Sequence, residues 1–192
     1  MTQNIVSSAP ELDTCHWINS DKALSISGLK GKVIALHAFQ MLCPGCVVHG
    51  IPQASSIRAL YSRDQVEVIG LHTVFEHHDV MTIAALEAFV HEYRLRFPIA
   101  VDSPGTASAE PKTMRKYQLR GTPSLVLIDK RGVIRVNQFG RLSDMEVGNL
   151  IGQLIQEDCE GIVEHATGSE EAGTQVAQQD SENCSDEGCE LP

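Results

Sequence analysis

The sequence predicts a mixed α/β fold, a central sheet flanked by helices, and three observations carry that expectation. Short apolar runs alternate with amphipathic stretches along most of the chain, the pattern of strands linked by helices. Crossovers of that kind are right-handed and leave the strands they join parallel. Late in the pattern, two strand-like runs are joined by Asp129-Lys130-Arg131-Gly132. That is a hairpin signal, with glycine supplying positive φ, so one edge of the sheet turns antiparallel.

The elements follow in order. "GKVIALHAF" (31–39) is apolar almost throughout, as a strand buried on both faces must be. "VVHGIPQASSIRALYSRD" (47–64) sets Val47, Ile51, Ile57, Leu60 and Tyr61 at roughly helical spacing, with Pro52 expected to kink that helix rather than prevent it. "VEVIGLHTV" (66–74) is a second buried strand. "MTIAALEAFVHEYRLRF" (81–97) gives a helix with Ile83, Leu86, Phe89 and Val90 on one face. "FPIAVD" is a short strand, "PKTMRKYQL" a short helix before Gly121, and "SLVLIDKRGVIRVNQFG" the hairpin. "DMEVGNLIGQLIQ" closes the series as an amphipathic helix.

These elements make one domain over 1–160, including an N-terminal extension. Residues 161–192 are mainly Glu, Asp, Gln, Ser, Gly and Ala, and are expected to form a disordered acidic tail. The chain has 192 residues and a net charge of -10, yet 11 of its 25 acids lie from Glu157 onward and no Lys or Arg follows Arg141. The acidity therefore belongs to the tail and says nothing of a substrate. No basic cluster suggests nucleic acid. No stretch reaches the roughly 18 apolar residues that span a bilayer. The opening "MTQNIVSSAPELDTCHWINS" has neither the basic nor the apolar region of a signal peptide. The expectation is a cytoplasmic monomer without a membrane partner. In that compartment disulfides are usually transient and functional. Cys15, Cys43, Cys46, Cys159, Cys184 and Cys189 then need a redox or metal explanation more than a scaffold one.

Cys43-Pro44-Gly45-Cys46 sits where the first buried strand runs into a helix. Unpaired N–H groups and the positive end of the helix dipole favour a thiolate at such a position. Pro44 suits a first turn, where its missing N–H has no partner to lose. Cys46, one turn inward, can reach back to close a disulfide with little backbone movement. In such a pair the first thiolate attacks a substrate disulfide and the second resolves the mixed disulfide.

"CPGC" between strand and helix, "RGTPSLVLID" well downstream, and a hairpin with a terminal helix resemble the thioredoxin fold. The βα insertion between the CxxC half and the proline half, around 75–110, resembles the TlpA/ResA branch within the broader redoxin, or AhpC/TSA-like, group. The resemblance covers roughly 28–156. It implies a thiol–disulfide oxidoreductase acting on protein disulfides and dithiols, served by an upstream reductase or oxidant, with no cofactor because the electrons reside on sulfur. It further implies that Pro123 is cis and faces the cysteines. Thr122 then offers its backbone to an extended substrate, bordered by Pro44 and Gly45. A buried acid that relays the resolving cysteine's proton in thioredoxin is His37 here, a candidate general base for Cys46. Glu76 stands where ResA-like proteins carry an acid beside the pair.

Other readings compete. Cys43, Cys46 and His49, joined by His72, His77 or His78, make a zinc or copper site conceivable, but a pair that opens a helix behind a buried strand is an unusual metal knuckle, and no metal is expected. Peroxiredoxins share the fold and carry P-x3-T-x2-C. Here Leu36 and Gln40 occupy those two positions, so peroxide reduction is the weaker alternative. A non-catalytic binding or scaffold protein is the third. In the tail, Cys184 and Cys189 could exchange with Cys43 at high effective concentration, or be unreactive; Cys15 and Cys159 read as incidental.

Overall fold

The computed structural model describes residues 7–106 and 110–157. Cys159 and the tail over 161–192, with Cys184 and Cys189, lie outside them. The described residues form a seven-stranded mixed sheet. Across it run β1 (Ser7–Ser8), β7 (Val133–Phe139), β6 (Ser124–Ile128), β3 (Val33–Phe39), β4 (Val66–His72), β5 (Ile99–Asp102) and β2 (Thr14–Ile18). β3 and β4 pair in parallel from Val33↔Val66 to Phe39↔His72, and β4 pairs in parallel with β5. The other pairs are antiparallel. Every residue of β3, β4, β5 and β6 is buried, which is why their sequences run apolar without alternating.

Successive side chains on a strand point to opposite faces, and β3 shows what each face packs against. Val33, Ala35 and Phe39 join a core with α1 (Ile51–Leu60), α2 (Ile83–Glu92) and α4 (Asp144–Gln156). Ile34, Leu36 and Ala38 join a second core with Met114 of α3 (Lys112–Lys116) and with Ile26 and Leu29 of the N-terminal segment. The insertion supplies α2 and β5. Thr82 caps α2 by accepting from the Ala85 N–H, and Ser143 and Glu146 form a capping box on α4.

Three local features differ from the sequence expectation. The N-terminal extension carries strands at both edges of the sheet: β1 pairs with β7 and β2 with β5. β1 is two residues long, and β2 mixes polar residues with Trp17 and Ile18, which pack half-buried against the two cores, so neither runs apolar like the central strands. Second, the helix after the cysteines is not simply kinked at Pro52. It widens into a π turn over Cys46–Gly50, with the Ile51 N–H donating to the Cys46 carbonyl, and α1 then begins with Pro52 in its first turn. Pro52 has no N–H to return to Val48 and its ring would press on that carbonyl; a wider turn ahead of it removes the conflict. Third, Ile83 is 41% exposed at the start of α2, whose buried face is Leu86 and Val90.

Candidate active site

β3 delivers the chain into a tight turn in which the Cys43 N–H donates to the Gln40 carbonyl (3.1 Å). The helix starts directly afterwards, so Cys43 lies at its mouth. The backbone N–H of Cys46 points back at the Cys43 Sγ, 3.4 Å away. Both cysteines are free thiols; Cys43 is half-buried and Cys46 has no exposed surface. Burial, with Cys43 alongside, pushes the Cys46 thiol up to about 12. One sulfur is therefore presented outward and the other held protonated behind it.

From across the sheet, the loop before β6 reaches the same point. The Thr122–Pro123 peptide bond is cis, and the Cys43 thiol donates to the Thr122 carbonyl at 3.5 Å. Pro123 packs against the helix through two glycines. A Cβ on Gly45 would stand 3.3 Å from the Pro123 Cδ, and one on Gly50 3.2 Å from its Cβ. Backbone approaches this closely only where no side chain intervenes.

A groove of about 400 Å³ runs past Cys43, bordered by Leu42, Pro44, Phe75, Glu76 and Thr122 among others. Glu76 is exposed and accepts from Gln40 Nε2 (3.2 Å), while Gln40 Oε1 accepts from the Phe75 N–H (3.3 Å). Gln40, 1% exposed, thus ties the loop after β4 to the cysteine turn. His72 acts similarly: its Nε2 accepts from the Met41 N–H at 3.4 Å. The sequence reading missed both roles. Gln40 enters it only as a departure from the peroxidase pattern, although a polar residue closing an apolar strand beside a cysteine was a signal to be used.

His37 lies on the sheet face that carries Ala35 and Phe39, which pack in the same cluster as Cys46. It is 5% exposed, and burial pushes it down to about 4. Its Nε2 has no hydrogen-bond partner among the described residues. A cavity of about 10 Å³ touches His37, His49 and Pro123. No three His, Cys, Asp or Glu side chains converge on one point among the described residues. His77 and His78 are exposed and His72 is engaged with the turn. Cys15 is exposed on β2, its thiol 3.7 Å from the Val101 carbonyl, and His16 faces Glu87 at 3.7 Å.

Residues 7–137 match the family described as AhpC/TSA. The chain belongs to that family. A solved thioredoxin-like superfamily protein is 54% identical, covers 79% of this chain and 97% of its own, and superposes with a TM-score of 0.77. A thiol-disulfide isomerase from Corynebacterium glutamicum is 51% identical over 78% of this chain and 98% of its own, with a TM-score of 0.75. The thiol-disulfide oxidoreductase ResA of Bacillus cereus is 28% identical over 146 residues, 76% of this chain and 70% of its own. Within the AhpC/TSA family this chain is a thioredoxin-like oxidoreductase of the TlpA/ResA type. No helix among the described residues is long and apolar enough to cross a membrane.

Proposed function

We propose that the protein exchanges disulfides with protein substrates through Cys43 and Cys46. The observation that carries this reading is the asymmetry of the pair: a half-buried sulfur in an open groove, one N–H away from a second sulfur with no exposed surface. Cys43 attacks the substrate disulfide and forms a mixed disulfide; Cys46 then attacks Cys43, closes the internal bond and releases the substrate thiol. Run backwards, the same steps oxidise a dithiol. The direction follows from the potential of the pair and from the upstream reductase or oxidant that sets it.

The neighbouring residues have matching tasks. The Thr122 carbonyl, next to the Cys43 sulfur, offers an extended substrate a backbone partner. Pro44 and Gly45 shape the mouth of the helix, and Glu76 supplies a carboxylate at the groove wall. His37 handles the proton of Cys46. Peroxide reduction is not favoured, because Gln40 is committed to the loop at 75–76.

Insulin disulfide reduction driven by dithiothreitol tests the proposal, with hydrogen peroxide consumption run in parallel. The expected result is turnover of insulin with a Cys43–Cys46 bridge after mild oxidation, loss of turnover in Cys43→Ser, and a trapped mixed disulfide in Cys46→Ser. Peroxide consumption without insulin turnover, or no bridge by mass spectrometry, would overturn it.

A further inference from the structure

The closing step leaves a proton with nowhere obvious to go. As the Cys46 sulfur attacks, its proton must depart, yet Cys46 touches no solvent and is a weak acid where it sits. His37 lies on the sheet face whose Ala35 and Phe39 pack in one cluster with Cys46, but an imidazole pushed down to about 4 is too weak a base to keep what it takes. It can still accept at one nitrogen and release from the other. Its Nε2 stands buried and without a hydrogen-bond partner among the described residues, which costs stability unless something bonds to it.

That nitrogen's residue borders the cavity of about 10 Å³, at the lower limit of the space that holds one water molecule. The cavity's lining also includes His49, half-buried near the end of the π turn that begins at Cys46. Within that wide turn His49 lines the same cavity as Pro123. Arg141, exposed, is the charged side chain on the cavity's rim.

We propose that His37, one water in this cavity and His49 form a proton exit from Cys46 to solvent. The inference rests on the Cys43–Cys46 exchange described above. In the closing step the Cys46 sulfur bonds to the Cys43 sulfur, and the bond from Cys43 to the substrate sulfur breaks. The electron pair leaves with the substrate as a thiolate. Cys46 is oxidised and the substrate sulfur reduced. The proton of Cys46 passes through His37 to the water, on to His49 and into solvent, where the departing thiolate takes up one in turn. His49 touches no reacting atom; it is a positioning residue that acts through His37.

The test uses the full chain, reduced and mixed with oxidised glutathione, with thiols trapped at intervals. Two phases are read: loading of Cys43 with glutathione, and closure to the Cys43–Cys46 disulfide. In His49→Leu, closure near pH 7 is expected to slow about 10²-fold relative to loading, the low end for a positioned proton-transfer group. The deficit should shrink as pH rises and hydroxide takes over, and added free imidazole should restore part of the rate. His37→Gln is expected to show the same pH-dependent deficit without imidazole rescue. Closure in His49→Leu that matches the parent at every pH would overturn the relay while leaving the exchange reading standing. Failure of the parent itself to close a disulfide would overturn both.

Discussion

His37 and His72 are held neutral by burial, each pushed from the ordinary 6.5 down to about 4. The unfolded chain takes up protons near 6.5 that the folded chain refuses. Each imidazole's contribution to stability is therefore complete above about pH 6.5 and drains as pH falls toward about 4, by on the order of 1.4 kcal/mol per pH unit apiece. Asp102, whose carboxyl burial raises, works in the opposite direction, but only where free carboxylates begin to titrate. The urea midpoint is expected to fall between about pH 7 and about pH 5.5, and His37→Gln should lose roughly half of that slope. A midpoint flat across the window would contradict the burial of these groups. At this scale the cysteine pair was legible because its spacing and its place after a strand are local facts. Gln40 left only a local cue, a polar residue closing an apolar strand; which groups it and His72 bind was not legible, since their partners lie more than 30 residues away along the chain.

The helix that follows the cysteines is shaped by two residues that ordinary helix rules disfavour. Pro52 forces the wide turn ahead of it, and Gly50 inside that turn leaves room for Pro123. On propensity alone Gly50→Ala would stabilise a helix by up to about 1 kcal/mol. Here the new methyl meets the Pro123 Cβ at 3.2 Å and must push it, and with it the Thr122 carbonyl that contacts Cys43. The variant is therefore expected to turn over insulin more slowly with no rise in melting temperature. A gain of several degrees with full activity would show that Pro123 yields freely. A proline within an apolar pattern announced a distortion, but the π turn itself could not be read. Whether a proline kinks a helix or widens the turn before it depends on what packs there, and Pro123 is about 70 residues away.

Across the molecule, the sheet sets the site by bringing two separate turns to one end. β3 leads into Cys43 and, antiparallel beside it, β6 begins just after Pro123. Strands buried on both faces announce themselves in composition, so the central sheet, its helices and the hairpin were legible. The edge strands were not. β1 is only two residues long, and β2 sets Trp17 and Ile18 side by side among polar residues, so neither shows the unbroken apolar run that marks the central strands. The sheet and its helices also decide which sulfur meets solvent, and this can be measured directly. Reduced protein is treated briefly with iodoacetamide at neutral pH, with and without urea, and the modified cysteines are located by mass spectrometry. Without urea the label should enter at Cys43 and spare Cys46 until urea opens the fold; labelling of Cys46 in the folded protein as fast as Cys43, or a Cys43 that stays unlabelled, would contradict the division of labour between them.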